Sequence, residues 1–409
     1  MSIKTISFGC RLNALESEKI QNMLKNILET AIVVNTCAVT GEAERQSGQY
    51  VRRIARENKN TPIFVTGCAA TRNPELFNGL QNVLVVDNFQ KRNINAYMDA
   101  MARTPCNIVG VAHIDNFRDT DEKLSKKFIQ IQNGCNHDCT YCVTRLLRGR
   151  AVSFEYDEIL GDVRAAVDAG FGEIVLTGVD IASYARVYDG RAFLISDLCK
   201  KLLVDVPGIR RLRLSSMDPA VPEVGKIIDL IKSDARMMPH MHFSMQSGSD
   251  TILKSMRRRH TADMVRKWVQ MAGDDITFSW DIICGFPGES EKLFNETLNL
   301  VRELKPIKIH AFPYSPRPNT VAATMPNQVN RTISKQRVKI INDAASKNRT
   351  QFMQKQLRQS VQVLVEENNI ARCPHDISVK IDGVSIISRT ICEVELVDII
   401  DDCFIGKKY

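Results

Sequence analysis

The amino-acid sequence predicts an α/β protein in three parts: an N-terminal parallel-sheet α/β domain, a central partial (β/α)6 barrel and a small C-terminal β module. Three observations carry this. Short β-rich runs alternate with helical patterns through the first ~115 residues. A second alternation, of six β/α units, starts at Phe128. The final ~50 residues then turn to β-like runs alone. Alternation favours a parallel sheet covered by helices, and six units fall short of the eight that close a barrel.

In the first part the strands are residues 3–8, 32–35, 63–66 and 83–86, with helices at 16–28 and 42–58. The rhythm stops at 103–127, which is polar and reads as a linker. The second part has strands at 128–132, 173–176, 211–214, 241–245, 276–283 and 308–312, and helices at 157–169, 221–233 and 290–304 among others. Residues 331–358 form a basic helix in which eight Lys/Arg face only Asp343. Strands at 361–365, 377–381 and 391–397 complete an acidic tail of nine Asp/Glu against five Lys/Arg. The expected domains are 1–115, 121–355 and 360–409.

A chain of 409 residues suits two or three domains. Its 44% hydrophobic and 25% charged content is ordinary for a globular protein. Apolar stretches such as 83–86 are far shorter than a bilayer span, and the first ten residues lack a basic region followed by an apolar one. The expectation is a cytoplasmic protein with no membrane partner. The net charge of +8 points only weakly to a polyanion. Twelve cysteines in such a chain suggest metal rather than disulfides.

Cys135, Cys139 and Cys142 form a C-x3-C-x2-C run directly after a predicted strand. Three thiolates on one tight loop can hold three irons of a 4Fe–4S cube and leave the fourth open. A zinc loop is the alternative, but zinc sites usually pair two short knuckles and no second knuckle lies nearby. Cys10, Cys37 and Cys68 each follow a predicted strand of the first part. In a parallel sheet those strand ends share one edge, so three cysteines distant in sequence converge, which favours a second cluster. Cys106, Cys199, Cys284, Cys373, Cys392 and Cys403 lack such placement and read as core or surface thiols.

The Cys135–Cys142 run, with Tyr141 before its last cysteine, resembles the radical S-adenosylmethionine (SAM) signature. Gly9-Cys10-Arg11-Leu12-Asn13 with Glu16-Ser17, Asn35-Thr36-Cys37 and Thr66-Gly67-Cys68 resemble the three N-terminal blocks of the radical SAM methylthiotransferase family. Arg213-Leu214-Ser215-Ser216, His242 with Gln246-Ser247-Gly248-Ser249, and Phe312-Pro313-Tyr314-Ser315-Pro316-Arg317 are similar to its later blocks. The resemblance covers nearly the whole chain. It implies SAM chelated at the Cys135/Cys139/Cys142 cluster and cleaved to a 5′-deoxyadenosyl radical, with sulfur handled at a second 4Fe–4S cluster on Cys10, Cys37 and Cys68. It also implies that the C-terminal module is a short version of the family's TRAM barrel.

The same resemblance places a SAM pocket at Thr177, Gly178, Asp180, Ser215, His242, Gln246, Gly285, Gly288 and Glu289. Thr177 to Asp180 would hold the SAM amino group, although a plain strand-to-helix turn explains those residues equally well. Gly285, Gly288 and Glu289 would pass under the adenine. His242, Ser244 and Gln246 share one side of a strand by two-residue periodicity. Facing a barrel interior, they need SAM, substrate or structural hydrogen bonds as partners. Residues 257–260 (Arg-Arg-Arg-His) and the basic helix suit phosphate contact, a solvated face being the alternative.

Within the family, the opening block and Phe312–Arg317 resemble most closely the branch acting on tRNA threonylcarbamoyladenosine. Asn319-Thr320 stands where the family usually has Gly-Thr. The implied reaction adds a methylthio group to adenine C2 in the anticodon stem-loop, with an electron donor such as a flavodoxin or ferredoxin. Alternatives are the same chemistry on isopentenyladenosine or on a ribosomal-protein aspartate, or a non-catalytic iron–sulfur RNA-binding protein.

Overall fold

The computed structural model describes residues 2–38, 41–103, 124–383 and 386–408. Most of the expected linker, and Cys106 within it, lies outside the described residues. Strands β1 (Ser2–Ser7), β2 (Thr30–Thr36), β3 (Ile63–Gly67) and β4 (Val83–Val85) form a parallel sheet in that order. Helices α1 (Arg11–Lys25), α2 (Gly41–Glu57), α3 (Cys68–Arg72) and α4 (Ile94–Ala102) connect and flank it. Alternation along β2 sends Val33 to a core with Ile20, Leu24 and Tyr97, and Val34 to one with Val51 and Ile54. Both faces are covered, which is why β2 reads as an unbroken apolar run. Helices α3 and α4 escape the sequence pattern because one is a single turn and the other is short.

Past the linker, β5 (Lys126–Gln130) leads into a ribbon of β6 (Gln132–Asn133) and β7 (Val152–Ser153), which encloses α5 (Thr144–Arg148). Helix α6 (Tyr156–Asp168), β8 (Glu173–Thr177), the hairpin β9 (Ala185–Tyr188) and β10 (Arg191–Leu194), α7 (Ile195–Asp205) and β11 (Leu212–Leu214) follow. After Ser215 come β12 (Ser216–Met217), α8 (Glu223–Ser233), β13 (His240–Gln246), α9 (Asp250–Ser255) and α10 (Ala262–Ala272). Strand β14 (Thr277–Cys284), α11 (Glu291–Leu304), β15 (Lys308–Pro313) and α12 (Arg331–Gln356) complete this part. The strands pair in parallel as β5–β8–β11 and β12–β13–β14–β15. The third strand, expected at 211–214, thus continues past its expected end: after a break at Ser215, β12 pairs in the second sheet while β11 stays in the first. Met241, Phe243 and Met245 of β13 pack outward among the helices, so His242, Ser244 and Gln246 occupy the opposite face.

The C-terminal strands β16 (Ser360–Val365), β17 (Ile370–Arg372), β18 (Ser378–Asp382), β19 (Ile391–Ile400) and β20 (Cys403–Lys407) close into a small barrel. It stands against the N-terminal ends of the central strands. Ser125 Oγ donates to the Val365 carbonyl (2.6 Å), Arg211 to those of Gln362 and Arg372, and Arg213 to that of Pro374. Lys126 Nζ lies 2.9 Å from Asp376.

Glu173 is the centre of this contact. Its carboxylate is fully buried, 2.7 Å from Arg213 and 3.5 Å from Lys126. Burial alone would raise its carboxyl, but Arg213, Lys126 and Arg211 outweigh it and hold the group at about 2. The contribution to stability is therefore complete above the ordinary value of 4.5 and lost as pH falls toward 2. Glu173→Gln should cost about 3 kcal/mol at neutral pH, because it strands buried cations. Urea unfolding should also show the wild-type midpoint falling faster than the variant's through that acid window.

Candidate functional site

The Cys135 loop is set by its root. Gly134 has φ +68°, and a Cβ there would stand 2.0 Å from the Arg150 carbonyl oxygen, so only glycine lets the ribbon close behind the loop. The Cys135 amide donates to the Gly149 carbonyl (3.1 Å). Cys135, Cys139 and Cys142 are all half-buried, and each sulfur faces a donor. The His137 amide lies 3.4 Å from Cys135 Sγ, Arg258 Nη1 3.8 Å from Cys139 Sγ, and the Thr144 amide 3.4 Å from Cys142 Sγ.

Burial pushes the Cys135 thiol up to about 12, helped by the negative charge of Asp180, Cys142 and Cys139 and opposed by the His137 amide. Burial raises Cys139 too, against Arg258. Cys135 and Cys139 therefore resist becoming thiolates unless a cationic centre takes them, while the donors facing the three sulfurs suit ligated sulfur. The donor set fits an iron–sulfur cluster. Cys135, His137 and Asp180 also bring ligand atoms within 4.8 Å of one another, a set for a single ion that would leave Cys139 and Cys142 unused.

The Arg-Arg-Arg-His run at 257–260 divides between surface and interior. Exposed Arg257 pairs with Asp138 and exposed Arg259 with Asp218 and His137, while the largely covered Arg258 side chain donates to the Ser244 carbonyl (2.8 Å). His260 is buried against the Met245 carbonyl (3.0 Å). Spacing along the sequence does not disclose these partners.

On the N-terminal sheet the three cysteine turns nest together. A Cβ on Gly9 (φ +89°) would stand 2.4 Å from Cys37 Sγ, and one on Gly67 (φ +95°) 2.3 Å from the Thr36 carbonyl oxygen. Asn13 donates to the carbonyls of Phe8 (2.9 Å) and Thr36 (3.0 Å), and Thr36 Oγ1 to that of Thr66 (2.6 Å). Cys10 is exposed, whereas Cys37 and Cys68 are buried. Asn88 Nδ2 donates to Cys68 Sγ (3.5 Å) and to the Leu147 carbonyl (3.0 Å). Ala38, Cys68 and Ala69 form one apolar cluster with Val143 and Leu147, the segment just past Cys142. The two cysteine-bearing regions thus abut.

The remaining expected residues divide into two groups. Thr177 ends β8, and Gly178 is required by Gln132, whose side-chain oxygen would stand 2.9 Å from a Cβ there. That oxygen accepts the amides of Val179 (3.0 Å) and Asp180 (2.8 Å), so Gln132 shapes the turn. Asp180 accepts from Ser183 and lies 2.8 Å from His137 Nε2. The Ser215 amide donates to the Leu176 carbonyl (3.0 Å). His242 shares a hydrogen bond with Ser279 Oγ (2.7 Å), sits 3.1 Å from Asp281 and stacks 5.6 Å from the His310 ring. Gln246 holds φ +67°, an uncommon state for a non-glycine residue, at the end of β13.

Gly285, Gly288 and Glu289 follow β14. A Cβ on Gly285 would collide with Ser334 of α12, and buried Glu289 accepts from the Gly285 amide (2.6 Å) and Arg337 (2.8 Å). The Glu289 carboxylate thus braces this turn. Gln132, Asp218, Asp281 and His310 went unnoticed in the sequence. The alternation that singled out His242 applies equally to Asp281 and His310 on β14 and β15; the others carry no local signal.

Residues 129–301 match the model of the Radical SAM superfamily, and residues 2–87 that of Uncharacterized protein family UPF0004. A threonylcarbamoyladenosine tRNA methylthiotransferase of Rickettsia prowazekii is 37% identical over 96% of this chain and 94% of its own. The enzyme of the same name from Bacillus subtilis is 34% identical over 82% and 78%. A tRNA-2-methylthio-N(6)-dimethylallyladenosine synthase of Erythrobacter litoralis is 29% identical over 96% and 94%. Among solved structures, the radical S-adenosylmethionine methyltransferase TsrM of Kitasatospora setae shares the fold, with a TM-score of 0.57 and 14% identity over 76% of this chain and 69% of that one. With two abutting cysteine regions and relatives of this identity along nearly its whole length, the chain belongs to the radical SAM methylthiotransferase family, in its threonylcarbamoyladenosine tRNA branch.

Proposed function

We propose that the chain adds a methylthio group to C2 of N6-threonylcarbamoyladenosine beside the tRNA anticodon, using SAM and two 4Fe–4S clusters. One observation carries the reading: the nested Cys10, Cys37 and Cys68 turns pack directly on the segment that follows the Cys135, Cys139 and Cys142 loop. A carbon–sulfur bond at an unactivated C2–H needs both centres at one place, because that hydrogen is not acidic enough for ordinary base catalysis.

In this reading Cys135, Cys139 and Cys142 hold one cluster, and Cys10, Cys37 and Cys68 the other. When bound, the clusters and SAM supply one-electron chemistry at the first centre and sulfur and methyl transfer at the second. Thr177, Gly178, Asp180, Ser215, His242 and Gln246 line the SAM side. Gln132 fixes the Thr177–Asp180 turn, and His242, Ser279, Asp281 and His310 form a polar row where barrels usually carry apolar side chains. Such a row is satisfied best by a polar ligand. We take 1–115, 121–355 and 360–409 as the functional units, supported by separate cores in the N-terminal sheet, the central strands and the small barrel. No helix among the described residues is long and apolar enough to cross a membrane. A cytoplasmic setting with a flavodoxin or ferredoxin as electron donor agrees with thiols kept reduced.

Anaerobic reconstitution should give about eight irons per chain, falling to about four when Cys10, Cys37 and Cys68 are replaced together by alanine. Full iron content in that triple variant would remove the second cluster.

The Cys142→Ala variant should form no 5′-deoxyadenosine from SAM, and mass spectrometry of its tRNA should find no methylthio nucleoside. With deuterium at C2 of the target adenosine, the wild-type enzyme should carry the label into 5′-deoxyadenosine. Modified tRNA from Cys142→Ala at the wild-type rate would overturn the assignment.

RNA contact by α12 rests on fewer residues than its charge suggests. Arg337 is buried on Glu289, and Arg349 donates to the Asp402 carbonyl (2.8 Å). Arg331 and Lys355 near its ends remain exposed, as do Lys335, Lys339 and Lys347 along its length. Reversing Lys335, Lys339 and Lys347 to glutamate should weaken tRNA binding and flatten its log–log salt slope by about two. An unchanged slope would make the face merely solvated.

A further inference from the structure

Two buried guanidiniums enter the N-terminal domain from the two edges of the central strands, one after the first strand and one after the last. Arg148 ends α5, six residues past Cys142, and Arg317 follows β15, the last strand. Their side chains are 5% and 7% exposed. Arg148 Nη1 donates to Glu16 Oε1 (2.8 Å) and to Asn133 Oδ1 (3.1 Å) at the root of the Cys135 loop. Its Nη2 donates to Asn13 Oδ1 (2.6 Å) and Glu16 Oε2 (3.2 Å). Lys91 completes the node, 2.5 Å from Glu16 and 2.7 Å from Asn88 Oδ1. Asn88 in turn donates to Cys68, and Asn13 spans the Cys10 and Cys37 turns.

Arg317 makes the second junction. Its Nη2 donates to the Ala38 carbonyl (2.6 Å), next to Cys37, and to Glu44 Oε2 (3.0 Å), which Arg72 also holds at 3.0 Å. Cys10 is thereby tied to a guanidinium of the central part through two hydrogen bonds, the residue after Cys37 through one, and Cys68 through the chain Asn88, Lys91 and Glu16. Apolar residues of similar volume usually stabilise an interface as well as buried ion pairs do. What a forked guanidinium adds is geometry: several donors in one plane fix both distance and angle.

Resting on the functional reading above, we propose that Arg148 and Arg317 are positioning residues that set the separation and facing of the two cysteine triads. They hold the Cys10/Cys37/Cys68 surface where substrate carbon activated beside the Cys135/Cys139/Cys142 loop can meet its sulfur. Neither residue touches the reacting atoms. Loosening either junction lets the sheet shift on the central strands while each triad keeps its own ligands, so SAM cleavage uncouples from methylthio transfer.

The test uses Arg148→Lys and Arg317→Lys, which keep the charge and lose the fork. In full-length reconstituted protein, with an anticodon stem-loop RNA carrying N6-threonylcarbamoyladenosine, 5′-deoxyadenosine formed per iron should stay near wild type. Methylthio product should fall about 100-fold, the cost of displacing reacting groups by roughly 1 Å. In cluster-free protein, hydrogen exchange should quicken at residues 9–13, 36–38 and 143–149. A product-to-5′-deoxyadenosine ratio equal to wild type in both variants would overturn the proposal. Should a variant fail to take up iron, exchange in the cluster-free protein decides: unchanged protection overturns the clamp, and faster exchange supports it. A wild-type protein that cleaves no SAM would overturn the functional reading instead, with exchange still deciding the clamp.

Discussion

A carboxylate sealed from water survives as an anion only if cations enclose it, and Glu16 meets that condition across the junction between the two halves of the site. Burial pushes its carboxyl up, but Lys91 and then Arg148 bring it below the ordinary value. Burial likewise works against Arg148, yet Glu16 and next Cys68 raise it, so the guanidinium stays charged. One anion between two cations leaves a surplus positive charge, and that surplus lies beside the N-terminal sulfurs, since Cys10 also acts on Arg148. The same contact that joins the halves thus sets a buried positive charge beside the three N-terminal cysteine turns.

Much of this was legible in the sequence because it follows from period and spacing. Alternating strands and helices gave the parallel sheets, and a strand before each of Cys10, Cys37 and Cys68 implied their shared edge. The break at Ser215 was hidden, since a strand that changes sheets keeps its apolar pattern on both sides. Pairings between distant segments were equally hidden. Nothing near Arg148 announces Glu16, 132 residues earlier, and nothing in the sequence around Gln132 announces the turn at Val179 and Asp180 that it supports.

Runs of charge are hard to read from sequence for a related reason. A cluster of like charges in sequence looks solvated or poised for phosphate, but folding can scatter its members among private partners. Arg257, Arg258 and Arg259 go to Asp138, Asp218 and the cysteine loop, and Arg337 goes to Glu289. The acidic tail behaves alike. Asp376, held well below the ordinary carboxylate range chiefly by Lys126 and Arg213 despite its burial, is spent on the central strands. What remains for a polyanion is the exposed remainder, which only the three-dimensional structure separates from the rest.

The open barrel gives these contacts their direction. Six strands leave a gap between the first and the last, and the start of α1 stands in it. Arg11 lies 4.6 Å over the Phe128 ring of β5, and its charge also bears on Lys308 of β15. The N-terminal domain therefore bridges the gap, and Arg148 and Arg317 enter it from the two sides. At the other end, Arg213 and Lys126 bind the small barrel at the strands' N-terminal ends, leaving the C-terminal ends for ligands. On the reading proposed above, the bridging domain thereby brings its three cysteines to those C-terminal ends, where Cys68 packs with Val143 and Leu147 just past the Cys142 loop.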